Sequence, residues 1–246
     1  MKSIALLAAF ALSALFVVNA AAFQPPARSV GPGIGNLQNP GTESPCGNGN
    51  MVFNADGSYE NGYAWDGYGG IALPYYGAWA ECFQGNVSVC GVIFDFTQVG
   101  YQHGQTMDVY LWSDNGGVPG LVLSVTTGVD PGTIAEWPNI SRHFVSLDNP
   151  VVPLGAFWAG FWGDWFYSPP AWFIAADLNG PGPGCPFTDV APGVGYPTGW
   201  INSSVIFGYT HALGIGVEVH QLNPLDVPSH PGGEDVSWGK IKELNR

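Results

Sequence analysis

The chain has 246 residues, of which six are Lys or Arg and 19 are Asp or Glu, for a formal net charge of −13. Between Arg28 and Lys240 the only basic residue is Arg142. This scarcity excludes nucleic acid as a partner, because nothing in that span can neutralise phosphates. It also argues against anionic membrane surfaces and against salt bridges as a major stabilising device. The 36 Gly and 21 Pro residues interrupt apolar runs without a fixed period, which argues against collagen and disorder.

The first 22 residues have the pattern of a signal peptide. Lys2 supplies a positive charge, residues 4–18 are almost entirely apolar, and small residues follow up to a cleavage point after Ala22. The apolar stretch of about 15 residues is shorter than the ~20 of a membrane-spanning helix. We therefore expect the rest of the chain to be secreted, extracellular or held at the cell surface, without a transmembrane span.

The cysteines predict two disulfides. Cys46, Cys82, Cys90 and Cys185 include no CxxC pair, so a zinc or redox site is poorly supported. An exported chain with an even number of cysteines usually forms disulfides. Of the three possible pairings, we favour Cys82–Cys90, which would join neighbouring strands. The other bridge would then be Cys46–Cys185, between an N-terminal loop and a late loop.

Short strands separated by turn residues dominate the chain after residue 50. The strongest strand patterns lie at residues 89–96, 107–112, 121–127, 143–147, 155–163, 171–176, 204–208 and 213–219. We expect the segment 171–176 to pair with the aromatic strand before it. No segment of ten or more residues before the C-terminal tail has a capped helical period. The pattern predicts an all-β fold, an antiparallel β-sandwich of jelly-roll type.

The predicted organisation has four parts. Residues 1–22 form the signal peptide, residues 23–50 an extended Pro/Gly-rich leader, residues 51–221 the β-sandwich domain, and residues 222–246 a linker with a short tail. In the tail Trp238, Ile241 and Leu244 are spaced three apart. The tail is therefore either a frayed polar end or a short helix that docks on a partner.

One hairpin has a familiar pattern. Residues 108–120 (DVYLWSDNGGVPG) combine a strand, an acidic and Gly-rich turn, and a Pro-Gly that leads into the next strand. This pattern resembles hairpins of secreted bacterial β-sandwich domains of the jelly-roll, carbohydrate-binding-module-like type. Residues 56–65 and 212–219 resemble opening and closing strands of the same kind of domain. The resemblance covers roughly residues 50–220, carries no catalytic residues, and implies glycan binding or a role as a surface module.

A dense aromatic cluster is the main functional signal. The chain runs FWAGFWGDWFYSPPAWF from Phe157 to Phe173. Strand alternation puts Phe157, Ala159 and Phe161 on one face and Trp158, Gly160 and Trp162 on the other. One face is expected to pack between sheets, and the second face with the following turn is a candidate ligand platform. The predicted ligand-binding residues are Trp158, Trp162, Trp165, Tyr167, Trp172, Asp164 and Asp177. The competing interpretations are pure core packing and a protein–protein contact.

A second cluster suggests a cation site. Asp56, Glu60 and Asp66 are candidate ligands for structural Ca²⁺, since this ion prefers several oxygen ligands. Their order does not match an EF-hand loop, and capping of turns by the same side chains is the alternative. No other cofactor is predicted.

The sequence gives little support for catalysis. The five histidines are scattered, and neither an HExxH motif nor a Gly-x-Ser-x-Gly elbow occurs. Carboxylates such as Glu60, Glu81, Glu136 and Glu218 could form a glycosidase pair only by an arrangement that sequence does not reveal. The prediction is an exported, non-catalytic binding module for neutral carbohydrate or a cell-surface component. The alternatives are a structural or adhesive surface or filament subunit that self-assembles, and a secreted glycan hydrolase.

Overall fold

The computed structural model describes residues 27–38, 44, 46–47, 49–65, 75–100, 105–163, 172–181 and 184–222. The predicted signal peptide and nearly all of the predicted tail lie outside these residues. The fold consists of strands and one short helix. The strands are β1 (Ala27–Ser29), β2 (Asn36–Leu37), β3 (Asn50–Phe53), β4 (Asn61–Trp65), β5 (Trp79–Phe83), β6 (Val87–Thr97), β7 (Met107–Asp114), β8 (Pro119–Val129), β9 (Asn139–Val151), β10 (Phe157–Trp162), β11 (Phe173–Asp177), β12 (Phe187–Val190), β13 (Gly199–Asn202), β14 (Ala212–Leu213) and β15 (Ile215–Gln221). The helix is α1 (Ser204–Phe207).

Within the described residues the strands form two sheets. The first has six strands in the order β13-β12-β5-β10-β7-β8, and every pairing is antiparallel. The second has nine strands with the central path β1-β4-β11-β6-β15-β3, while β14 pairs with β11 and β9 pairs with β6 and β2. Only the short β2–β9 pairing among these is parallel. The predicted all-β sandwich is confirmed, and the jelly-roll connectivity stays a prediction.

The two sheets pack face to face through aromatic side chains. Phe94 and Phe96 of β6 meet Phe161 of β10 edge to face, with ring centroids 5.4 and 5.2 Å apart. All three rings are buried, and burying one such side chain stabilises the fold by about 1.5–3 kcal/mol. The alternation predicted for β10 is confirmed, since Phe157, Ala159 and Phe161 belong to this inner core and Trp158 does not.

A smaller core covers the outer side of the nine-stranded sheet. It contains Tyr59, Ile140 and Ala175, with Trp137 and Leu37 packed against it. Leu37 lies in β2, and β1 pairs with β4. Residues 27–29 and 36–37, which fall inside the predicted leader, are therefore paired with the sandwich.

An ion pair lies beside this smaller core. Arg142 of β9 contacts Asp95 of β6 with both Nε and Nη2, at 2.7 and 2.6 Å. Tyr59 donates its hydroxyl to the same carboxylate at 2.5 Å, and the guanidinium lies 4.3 Å from the centre of the Phe53 ring. The Asp95 side chain is 0% exposed. Arg142 thus neutralises a carboxylate that has no contact with solvent.

Two disulfides form, but with a different pairing from the one we favoured. The bridges are Cys46–Cys90 and Cys82–Cys185, each with Cα atoms 5.7 Å apart. The favoured pairing was wrong because β5 and β6 place Cys82 and Cys90 in different sheets. Cys82 instead meets Cys185, at the start of the segment that leads into β12, and Cys46 meets Cys90 beside β15.

Two further expectations differ from the structure. Residues 173–177 do form a strand, yet it pairs with β4, β6 and β14 in the sheet opposite β10. The segment 204–208, predicted as a strand, contains the four-residue helix α1, whose turn begins after Ser203. The apolar residues of β11 are buried as expected, because the pattern specifies burial and leaves the neighbouring strand undetermined. In α1, by contrast, no residue is fully buried and Val205 is 57% exposed, so this short apolar run did not indicate a buried strand.

Removing Arg142 should destabilise the fold strongly. We expect Arg142→Ala to lower the free energy of unfolding by about 3–5 kcal/mol, since it leaves the buried Asp95 carboxylate without a counter-charge. Urea unfolding followed by tryptophan fluorescence measures this change.

The matched control is the double variant Arg142→Ala with Asp95→Asn, which removes the stranded charge as well. It should recover part of the lost free energy. A loss below about 1 kcal/mol for the single variant would show that the pair behaves as a solvent-exposed ion pair.

Candidate functional site

The outer side of the six-stranded sheet carries a second aromatic cluster, separate from the core between the sheets. We call it the outer aromatic face, and it consists of Tyr75, Tyr110, Trp112, Trp158, Trp162, Phe187 and Trp200. Strand alternation produces it: in β7 Val109 and Leu111 point inward, so Tyr110 and Trp112 point outward. The six-stranded sheet therefore has aromatic side chains on both sides.

Three of these rings form a buried inner layer. Tyr110, Trp112 and Trp158 are 6%, 1% and 2% exposed. Trp112 and Trp158 are direct cross-strand neighbours in the β7–β10 register, and the Tyr110 and Trp112 rings stack with centroids 5.0 Å apart and an interplanar angle of 13°. The indole N–H of Trp158 donates to Asp114 at 2.9 Å. This layer is a rigid base for the rings around it.

The other four rings are half-buried, and three of them, Tyr75, Phe187 and Trp200, meet that base edge-on. Trp200 lies against Trp112 with centroids 5.4 Å apart, and Phe187 lies against Trp158 at 5.0 Å. Tyr75 contacts Tyr110 at 5.0 Å and Trp162 at 6.5 Å. Each of these four rings keeps part of its surface in solvent.

The turn at residues 75–77 fixes part of the face. Tyr75 has a φ of 72°, a left-handed conformation that is an outlier for a bulky side chain. The carbonyl of Tyr76 accepts the indole N–H of Trp162 at 3.0 Å, and the N–H of Gly77 donates to the backbone of Asp189 at 2.7 Å. Such backbone strain is common at functional sites, and here it brings the Tyr75 ring onto the aromatic face.

Two polar atoms on this face are buried without a hydrogen-bond partner in the part of the chain that the structure describes. They are the indole N–H of Trp112 and the Oδ1 atom of Asp189. Asp189 lies opposite Trp200 in the β12–β13 register and is 2% exposed. Burial raises the pKa of Asp189 to about 7. A buried donor and acceptor without partners are costly, and a hydroxyl group or a water would satisfy them.

Glycine makes room within the face. Gly160 lies between Trp158 and Trp162 in β10 and opposite Tyr110 in β7. A Cβ atom at this position would collide with the backbone carbonyl of Trp79. Because β10 and β5 approach so closely here, the sequence alternates two indoles with a residue that lacks a side chain.

The structure separates the residues predicted to bind a ligand. Trp158 and Trp162 lie on the outer aromatic face. Trp172 does not, because it packs in the core between the sheets against Phe96, with centroids 5.5 Å apart. Asp177 belongs to the opposite sheet. The remaining predicted residues, Asp164, Trp165 and Tyr167, lie outside the described residues.

The sequence analysis missed five members of the face: Tyr75, Tyr110, Trp112, Phe187 and Trp200. Alternation within DVYLW already opposes Tyr110 and Trp112 to Val109 and Leu111, so this signal was present. Phe187 and Trp200 reach the face only through the pairing of β5 with β12 and of β12 with β13. No local pattern predicts such long-range pairing.

The candidate calcium ligands bind protein donors. Asp56 accepts the backbone N–H and hydroxyl of Ser58, both at 2.7 Å, and these bonds lower its pKa. Glu60 accepts the N–H of Leu178 at 2.8 Å. Asp177 accepts the N–H of Asp56 at 3.0 Å, which joins it to this loop. Asp66 lies outside the described residues. The calcium site stays a prediction, while the visible bonds are those of turn capping.

In another group of potential metal ligands, the two cysteines form a disulfide with each other. Cys46, Cys90 and His220 have ligand atoms within 4.8 Å of one another. Both sulfur atoms belong to one disulfide, and a metal ligand must be a thiolate. The oxidised protein therefore does not offer these sulfurs to a metal.

A buried carboxylate lies near the junction of the two sheets. Glu81 of β5 accepts hydrogen bonds from the Asn54 amide at 2.8 Å and from the backbone N–H groups of Leu213 and Cys185 at 2.7 and 3.0 Å. Burial raises its pKa to about 7 despite these bonds. Its contacts join β5 to the opposite sheet and to the loop after the Cys82–Cys185 bridge.

A pocket of about 440 Å³ opens between the sheets at the β5–β6 hairpin. Its walls are apolar and include Val52, Phe83, Phe157 and Val219, and its polar groups are side-chain amides such as Asn54. None of the described residues that line it is a carboxylate. This pocket therefore lacks the two facing carboxylates of a glycosidase site.

The chain matches no protein-family model, and comparisons with curated proteins and with solved structures find no similar protein. In the described part of the chain, no helix is both long and apolar enough to cross a membrane.

Asp189 should make stability depend on pH. The folded protein binds this proton more tightly than the unfolded chain, because burial raises the pKa from 3.8 to about 7. Raising the pH from about 4 to about 7 should therefore cost about 4 kcal/mol of folding free energy through this group. The variant Asp189→Asn has no carboxyl group at this position and should not show that cost. Its stability relative to the wild type should therefore increase as the pH rises.

Urea unfolding at a series of pH values measures the difference between the two proteins. Asp148→Asn, at an exposed position of β9, controls for the loss of one negative charge. A constant difference between wild type and Asp189→Asn across this pH range would contradict the assignment.

Proposed function

We propose that this protein is an exported, non-catalytic module that binds neutral carbohydrate on its outer aromatic face. The observation that carries the proposal is the group of half-buried rings, Tyr75, Trp162, Phe187 and Trp200, over a buried aromatic base. Partly exposed aromatic patches rimmed by polar groups are typical of interaction sites.

The chemistry of the face suits sugars. Indole and phenyl rings offer flat apolar surfaces to the C–H faces of pyranose rings, and carboxylates at the margin accept hydrogen bonds from hydroxyl groups. Asp108 and Asp114 stand at this margin, on the outward side of β7.

The negative charge of the chain favours neutral ligands over anionic ones. The chain carries −13 overall, and the charged side chains at the margin of the face, Asp108 and Asp114, are acidic. Acidic glycans would be repelled, because no Lys or Arg occurs in the strands of the six-stranded sheet to pair with their carboxylates or sulfates. Neutral polysaccharide is therefore the favoured ligand class.

The rings are held in place before a ligand arrives. The hydrogen bond from Trp162 to Tyr76 and that from Trp158 to Asp114 fix two indoles, and edge-on contacts hold Trp200 and Phe187. A preorganised face loses little side-chain entropy on binding. Export, which the signal-peptide pattern predicts and two disulfides support, would bring this face to extracellular glycans.

Removing the accessible indoles should weaken binding. We expect Trp162→Ala and Trp200→Ala each to reduce affinity for the bound polysaccharide about 10-fold or more, as truncation of an aromatic anchor does. The measurement is affinity electrophoresis and calorimetry with a panel of neutral glucans, xylans, mannans and galactans, beside anionic polysaccharides.

Tyr209→Ala is the matched control, because Tyr209 is 71% exposed and lies outside the face. It should bind as the wild type does. Absence of wild-type binding to every neutral glycan, or unchanged affinity in both tryptophan variants, would refute the proposal.

A further inference from the structure

The pocket between the sheets is larger than an ordinary packing defect. Its volume is about 440 Å³, whereas protein interiors are close-packed and hold few voids larger than a water molecule, which occupies about 30 Å³ of the liquid. Cavities that bind small molecules commonly measure about 300–1,000 Å³. The pocket is therefore large enough to hold a small organic molecule.

The topology explains why the core is open at this place. β5 belongs to the six-stranded sheet and β6 to the nine-stranded sheet, so the turn at residues 84–86 passes from one sheet to the other. The pocket lies between this turn and β3, the strand at one edge of the nine-stranded sheet. Val52 of β3 lines the pocket and is 40% exposed, which places it where the pocket meets solvent.

The walls of the pocket are side chains of the core between the sheets. They are Phe83, Val87, Phe157, Val217 and Val219, all of them buried. The rings of Phe83 and Phe157 pack together with centroids 5.7 Å apart. An apolar group that enters the pocket leaves water for contact with these side chains, which is favourable. The walls therefore favour a ligand with an apolar body.

The polar side chains of the pocket are all amides, those of Asn54, Gln84, Asn86 and Gln221. None of the described residues that line it is charged. An amide offers both a donor and an acceptor, so it pairs with a hydroxyl or an amide of a ligand. A carboxylate or an ammonium group would lose its hydration here without meeting a counter-charge. The lining thus favours an uncharged polar group.

Hydrogen bonds and close backbone packing hold the pocket in shape. The Asn54 amide donates to the Glu81 carboxylate at 2.8 Å and to the Cys82 carbonyl at 2.9 Å. In the turn, a Cβ atom at Gly85 would lie 1.9 Å from the carbonyl oxygen of Gly155, so the two backbones are in direct contact. A ligand therefore meets a largely preformed pocket, as small-molecule sites usually are.

We propose that this pocket binds a small, uncharged amphiphile, a molecule with an aliphatic body and one hydroxyl or amide group. The aliphatic body contacts the valine and phenylalanine walls, and the polar group pairs with the side-chain amides. The proposal does not rest on carbohydrate binding, because no ring of the outer aromatic face lines the pocket.

The experiment uses the chain from Phe23 to Arg246, the predicted mature form. The probe is N-phenylnaphthylamine, an uncharged molecule whose fluorescence rises in apolar surroundings. We expect saturable binding of one probe molecule per chain and displacement of the probe by octanol. Octanoate has the same chain length with an anionic end, and at neutral pH it should displace the probe at least about 10-fold less well.

Substitutions in β3 distinguish the pocket from the rest of the surface. Val52→Trp should weaken probe binding at least about 10-fold, because the larger side chain takes up space in the pocket. Met51→Trp is the matched control, since Met51 is the preceding residue of the same strand, is 52% exposed and does not line the pocket. It should bind the probe as the wild type does, and so should Trp162→Ala on the outer aromatic face.

Methyl NMR spectra of the wild type locate the ligand without any substitution. Octanol should shift the methyl signals of Val217 and Val219 and leave those of Val109 in place, because Val109 belongs to the same core but does not line the pocket. Absence of saturable probe binding would overturn the proposal. Equal displacement by octanol and octanoate, equal weakening by Met51→Trp, loss of probe binding in Trp162→Ala, or methyl shifts that avoid the pocket would also overturn it.

Discussion

The six-stranded sheet has to cover two aromatic faces, and this constraint shapes the rest of the molecule. Its inner face is covered by the nine-stranded sheet, where Phe161 meets Phe94 and Phe96. Its outer face has no third layer among the described strands. The Tyr75 turn and the side chains of Phe187 and Trp200 cover Trp112 and Trp158 instead. A cover made of single side chains leaves ring surface in solvent, and this surface is the basis of the proposed carbohydrate site.

The sequence predicts the features that are determined within a single strand or turn. Alternation alone separated Phe157 and Phe161 from Trp158 and Trp162, and the Asp-Asn-Gly-Gly turn fits the hairpin between β7 and β8. The sequence did not predict the order of the strands across each sheet. Trp200 joins the site through two successive pairings, and Trp172 leaves it because β11 belongs to the opposite sheet. The disulfide partners changed for the same reason, since Cys82 and Cys90 lie on adjacent strands in sequence but in different sheets.

The scarcity of basic residues changes how polar groups are buried. Asp95 pairs with Arg142, the single Lys or Arg between Arg28 and Lys240. Glu81 instead accepts hydrogen bonds from a side-chain amide and from backbone N–H groups. In the described part of the chain, the Oδ1 atom of Asp189 has no hydrogen-bond partner. Burial raises the pKa values of Glu81 and Asp189 to about 7, so these two carboxyl groups are neutral or half-neutral near neutral pH. The strands of the six-stranded sheet, which carry the aromatic face, contain no Lys or Arg.

The position of Arg142 also bears on resistance to proteolysis. Proteases of trypsin specificity cut after Lys or Arg and need to bind an extended, accessible segment around the cut. Between Arg28 and Lys240 such a protease has a single target, and there the side chain is 11% exposed and bonded to Asp95 in a paired strand. If cutting did occur after Arg142, the Cys82–Cys185 bridge would still join the two halves covalently. The residue that neutralises the buried carboxylate is thus also the single site between Arg28 and Lys240 at which a protease of trypsin specificity could cut, and its burial protects that site.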